Sequence, residues 1–129
     1  METALWYLQK ALFARWNSET LLPNVYDYVT ADTPKPYITI GEPLVTPSTN
    51  KTSYREEMPW THHVWSDYNG KKEAYDIMNL MLKSLSRTPL EIEGAFYLQN
   101  FNVEQLQVIT DIDNTTYHGI LRVRYFINT

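Results

Sequence analysis

The stretch Tyr117-His118-Gly119-Ile120-Leu121-Arg122-Val123-Arg124-Tyr125-Phe126-Ile127 sets apolar Leu121, Val123, Tyr125 and Ile127 in alternation with Arg122 and Arg124. Successive side chains of a strand point to opposite faces, so this is a half-buried strand over residues 117–127. One face is core, and the other is wet or meets something acidic. Just upstream, Asp111-Ile112-Asp113-Asn114 reads as a turn. Before it lie a long extended run from residue 95 to 103, continuing toward 109, and a short one at Leu90-Glu91-Ile92. The last forty residues are therefore strand, closed by a β-hairpin.

Working back from that hairpin, the period changes. Ala74, Ile77, Met78, Met81, Leu82 and Leu85 recur at helical spacing, which predicts a helix over residues 71–85, entered at the Asn69-Gly70 turn and ended before Pro89. Leu5, Leu8, Leu12 and Trp16 predict a first helix over residues 3–16. Between the helices, residues 25–29 and 37–40 alternate like short strands, the second stopping at Gly41. Residues 54–67 form a longer strand with Trp60, His62 and Val64 on one face and Thr61, His63 and Trp65 on the other. Pro59 cannot donate to a ladder, so the start of this strand is expected at an edge, at a bulge or not yet paired. Residues 42–57, rich in Pro, Ser, Thr and Asn at their start, are expected to include a flexible loop.

Helix, short strands, helix, hairpin is an α+β order. The expected fold is one domain over residues 1–129: two layers, an antiparallel sheet of about four to five strands, and two helices packed on one face. An uncovered sheet face and free edges are costly to leave bare, so such surfaces are either charged or used for binding.

Composition narrows the chemistry. The 129 residues contain no Cys, which excludes disulfides, thiolate metal sites and cysteine nucleophiles. Eleven basic against fifteen acidic side chains give a net charge of -4, the wrong sign for a domain that wraps nucleic-acid backbone. No apolar run approaches the length of a membrane span, and Met1-Glu2-Thr3-Ala4-Leu5-Trp6 has no basic stretch of a secretion signal. A protein made and kept in a cytoplasm, with no membrane partner, is expected. Ten Tyr among eighteen aromatics supply side chains suited to both core and interface.

His62 and His63 tempt a metal or base assignment, but neighbours on a strand face opposite ways and cannot share one ion. Asp111-Ile112-Asp113-Asn114 opens like a calcium loop, yet Thr116 and Arg122 stand where Gly and Glu are required. With four glycines there is no phosphate loop, dinucleotide fingerprint or nucleophile elbow. No catalytic residue, cofactor or metal is assigned. Charge is uneven: Lys71, Lys72, Lys83 and Arg87 lie on or beside the second helix, whereas residues 88–121 carry five acids and no base. Such a subunit suits head-to-tail packing with its own copies.

Val25-Tyr26-Asp27, Pro36-Tyr37-Ile38-Thr39-Ile40-Gly41-Glu42, His63-Val64-Trp65-Ser66, Gly70-Lys71-Lys72-Glu73-Ala74 and His118-Gly119-Ile120-Leu121-Arg122-Val123-Arg124, in that order and spacing, resemble the small tail completion, or tail-to-head joining, proteins of long-tailed bacteriophages. Met58-Pro59 departs from the uninterrupted strand expected there. The resemblance implies a non-enzymatic virion protein at the head–tail junction, assembled in the host cytoplasm. It implies a ring of its own copies, a hexamer, on the end of the tail tube protein, halting tube growth and meeting the head completion or connector protein. DNA would pass through the lumen without specific binding. Lys51, Tyr54, Arg55, Arg122 and Arg124 are the candidate partner-interface residues. A generic cytoplasmic protein-interaction domain, or a small enzyme without a linear motif, are the other classes the residues leave open.

Overall fold

The computed structural model describes residues 2–49 and 54–129. Helix α1 spans Leu5–Asn17 and α2 spans Lys72–Arg87. The strands are β1 Val25–Tyr26, β2 Tyr37–Pro43, β3 Thr46–Thr49, β4 Tyr54–Ser66, β5 Tyr97–Thr110 and β6 Tyr117–Asn128. They form one sheet in the order β1-β2-β4-β6-β5, with β3 also on β4. The α+β, two-layer expectation holds, with six strands in place of four to five and one parallel pair, β1 with β2, in an otherwise antiparallel sheet.

Alternation decides the faces. On β4 the side chains of Met58, Trp60, His62 and Val64 are buried, and on β6 those of Leu121, Val123, Tyr125 and Ile127 are buried with them. They pack against Leu8, Leu12 and Trp16 of α1 and Ala74, Met78 and Met81 of α2 in one core cluster. Burying each large apolar side chain is worth roughly 1.5–3 kcal/mol, so this stripe-on-face match holds the layers together. The Trp16 indole N–H donates to the Met81 carbonyl at 3.2 Å, tying the helices to each other. α1 lacks a cap from its own first residues; the buried Glu56 of β4 accepts the Ala4 N–H at 2.7 Å and puts a carboxylate at the positive end of the helix.

Two glycines are required by contact. Gly41 has φ +77°, and a Cβ there would stand 1.6 Å from the Thr61 carbonyl oxygen. It makes the bulge between Thr39 and Glu42, so β2, expected to stop at Gly41, continues to Pro43. At Gly119 an added Cβ would lie 3.2 Å from the Met78 sulfur, so this position admits α2 onto β6.

Pro59 is neither at an edge nor at a bulge: it pairs with Arg124 in the middle of the sheet. Its carbonyl accepts the Leu44 N–H at 2.9 Å, so its missing N–H faces the gap between β2 and β3. β2 beyond its bulge and β3 follow one register on β4 and are interrupted opposite this proline, which has no donor to give. Residues 42–57, expected as a loop, take strand conformation over Glu42 and Pro43, β3 and the start of β4, and residues 50–53 lie outside the described chain. The strand expected over 25–29 is confined to Val25 and Tyr26, and Leu90-Glu91-Ile92 forms no strand. There the Arg15 guanidinium occupies the carbonyls of Ser84, Thr88 and Pro89, and Leu90 is buried in the core. Side-chain capture of the backbone replaced ladder pairing.

Candidate assembly surfaces

The helices cover one face of the sheet. On the other, β4 presents Thr61, His63 and Trp65, β6 presents His118, Ile120, Arg122 and Arg124, and β2 presents Tyr37 and Thr39. The strand alternation read from sequence thus places Arg122 and Arg124 on the open face. Tyr37, opposite Trp65 in the register, lies half-buried on this face.

The charges on this face are answered from within. Arg122 Nε donates to Glu104 Oε1 at 3.1 Å, and Arg124 Nε donates to Glu104 Oε2 at 2.8 Å. Arg124 also reaches Glu57 at 3.1 Å. Glu104 sits at the register shift between Val103 and Gln105, and the bulge turns its carboxylate between the two arginines. The hydrogen bond from Arg124, and then that from Arg122, hold the Glu104 carboxyl below its usual range. The face expected to be wet or to meet something acidic meets an acid of the same chain, from β5, and alternation in β6 alone gave no sign of it.

Farther along the same face, Trp65 stacks on His118 with centroids 3.9 Å apart, and His63 Nδ1 lies 2.7 Å from His118 Nε2. Burial, followed by the neighbouring His63, lowers the His118 pKa. His62 and His63 do point to opposite faces. His62 is fully buried, with Nδ1 2.6 Å from the Ile40 carbonyl oxygen and Nε2 2.8 Å from the Tyr125 hydroxyl. Among the described residues no cluster of three His, Asp or Glu side chains is arranged to hold a metal.

Of the other interface candidates, Arg55 is exposed and pairs in register with Asn128. Tyr54 is half-buried at the start of β4, and burial with Glu56 beside it pushes its hydroxyl up to about 12. Lys51 lies outside the described residues. Tyr54 and Arg55 stand at the end of the sheet that holds Asn128, several residues along β4 from the Arg122 and Arg124 pair. Arg55 shares the open face with Glu57, which pairs with Arg124.

Two surface features went unread in the sequence. The edge strand β5 turns Val103 and Leu106 to the helix side, yet they are 44% and 43% exposed because the helices do not reach that far. A groove of about 670 Å³ opens between Leu21, Tyr26 and Pro36 on one side and Tyr68, Ile77 and Leu80 on the other. Among the described residues no helix is long and apolar enough to cross a membrane.

Residues 7–128 match the family described as Tail completion protein gp17. The chain is 37% identical to the tail completion protein gp17 of Bacillus phage SPP1 over 125 residues, 94% of this chain and 92% of that one. The solved structure of the bacteriophage SPP1 gp17 protein superposes with a TM-score of 0.59 at 33% identity, covering 97% of this chain and 95% of that one. A chain of the virion of a native gene transfer agent particle superposes over 100% of both chains with a TM-score of 0.87 at 16% identity, a likeness of fold.

Proposed function

The chain belongs to the tail completion protein gp17 family, which makes it a structural protein of the virion tail, and from that premise we propose that it closes the tail tube as a ring and joins tail to head. The observation that carries this reading is the family match, which runs through every element from α1 to β6. In the assembled tail, copies of the chain form a hexameric ring on the last layer of tail tube protein. The ring halts tube growth and offers its outer surface to the head completion or connector protein.

The protein acts through surfaces, without catalysis. Each histidine is committed to a structural partner: His62 to Ile40 and Tyr125, and His63 to His118. The net charge of -4 suits a conduit that lets DNA slide past, since like charge keeps the phosphate backbone from binding the wall. The segment over residues 42–57, with Lys51, Tyr54 and Arg55, contacts a neighbouring subunit or the tube. Arg122 and Arg124 contribute to a contact across the open face, with both donating to Glu104.

Deleting the gene is expected to give filled heads and unattached tails, and adding the purified protein to those tails is expected to place a ring at one end and restore joining. Tails that join heads at normal frequency without the protein would overturn the proposal.

A further inference from the structure

The turn between β5 and β6 presents Ile112, which is 98% exposed. An isoleucine at a hairpin tip is out of place in a solvated turn, where polar residues are the rule. The turn beneath it is prebuilt. Asp113 Oδ1 accepts the N–H groups of Thr115 and Thr116 at 2.9 and 2.8 Å, and its Oδ2 accepts the Thr116 hydroxyl at 2.8 Å. Asp111 Oδ1 accepts the Ile112 N–H at 2.8 Å. A bare apolar side chain held on a rigid support loses little freedom on docking.

The groove described above has the complementary character. Leu21, Tyr26, Pro36, Ile77 and Leu80 give its walls apolar patches among polar groups, and Leu21 and Tyr68 on its rim are 77% and 56% exposed. The charged groups that line it are Lys35, Lys72, Glu73 and Asp76. Lys72 pairs with Asp76, and Glu73 accepts the Ser66 hydroxyl. Lys35, and Lys71 next to the groove, form no ion pair among the described residues. The lining itself carries two lysines and two acids, and the lysines without an ion pair, Lys35 and the adjoining Lys71, are the groups that complement an apolar tip flanked by Asp111 and Asp113.

The sheet places the two on opposite sides at the same height. The groove adjoins β1 and the tip closes β5 onto β6, the two outer edges of the order β1-β2-β4-β6-β5. The pairs Tyr37 with Trp65, Ser66 with Tyr117 and Thr110 with Tyr117 put both at one end of the strands. Four strand spacings of ~4.8 Å separate those edges by roughly 19 Å, so the tip cannot fill its own groove. A feature and its complement on opposite edges make a head-to-tail contact, which closes into a ring when the rotation between copies allows.

We propose that Ile112, between Asp111 and Asp113, inserts into the groove between Leu21 and α2 of the next copy of this chain and forms the lateral contact of the ring. This rests on the ring reading above and adds to it the contact that builds the ring. β3 and the start of β4 lie at the opposite end of the sheet, where Arg55 pairs with Asn128, and remain available for contacts along the tail axis.

The absence of Cys makes the test specific, because any disulfide must come from introduced residues. Virions carrying both Leu21→Cys and Ile112→Cys are expected, after oxidation, to yield disulfide-linked multimers of the protein on denaturing gels, whereas each single variant stays monomeric. Ile112→Asp is expected to keep the melting temperature of the purified protein and to lower ring formation on tails at least tenfold. Wild-type rings visible on tails, with no multimers from the double variant and normal rings from Ile112→Asp, would overturn this contact while leaving the ring intact. Wild-type protein bound to tails as single copies would overturn the ring and this contact together.

Discussion

Lowering the pH from 7 to about 5 asks the core to accept a charge at His62, and the structure makes that costly. The Ile40 carbonyl can only accept a hydrogen bond, so Nδ1 carries the proton, Nε2 accepts from the Tyr125 hydroxyl, and the ring is neutral. Burial, against a smaller upward pull from the Ile40 carbonyl, takes its pKa from 6.5 down to about 3. A depressed folded pKa means that the unfolded chain takes up the proton first. The stability contributed is whole above pH 6.5 and is lost as the pH falls toward about 3. At about pH 5 the unfolded ring is ~1.5 units below its pKa while the folded ring stays neutral, which at ~1.4 kcal/mol per unit removes about 2 kcal/mol. His118, also shifted down, adds to the loss in the same window, so the clean measurement is made on His118→Gln. Its urea unfolding midpoint should fall between pH 7 and about 5 with an unchanged slope, and ring nitrogen shifts of His62 should report the neutral tautomer at both. An equal midpoint at the two pH values, or a His62 ring that titrates near its free value, would refute the reasoning.

Gly41→Ala forces a Cβ into the Thr61 carbonyl at a positive φ and is expected to cost about 3 kcal/mol, read as a loss of urea midpoint. Glu104→Gln releases two arginines that are only partly shielded, so unfolding free energy should fall by less than about 1 kcal/mol, with a smaller loss at high salt. Residues 42–57 should exchange their amide protons faster in the isolated subunit than in the assembled tail; equal protection in both states would count against an ordering contact there.

What was legible in the sequence was whatever a single element carries on its own. The stripe through Ala74, Ile77, Met78, Met81 and Leu85 placed α2 within two residues at each end, because helical burial repeats every few residues. Strict alternation likewise placed β6 and both faces of it. β3 was missed, since Thr46, Pro47, Ser48 and Thr49 carry no apolar pattern and are strand only because β4 offers them a ladder. Leu90-Glu91-Ile92 erred the other way: its composition suits a strand, and Arg15 from a distant helix took the neighbouring carbonyls. The candidate interface was partly readable. Arg122 and Arg124 stood out by alternation, but the Glu104 that answers them arrives by a register shift on another strand.

The sequence by itself determined two amphipathic helices, a terminal hairpin, an uncovered sheet face and a family resemblance, because periodicity and motif order are properties of the chain read in line. The tertiary structure alone decided that Pro59 could stand in mid-sheet, that the open-face arginines are already paired, and that the Ile112 tip and the groove by Leu21 lie on opposite edges at one end. Each depends on which strands are neighbours. Strand order is set by packing between segments far apart in the chain, and no local pattern encodes it.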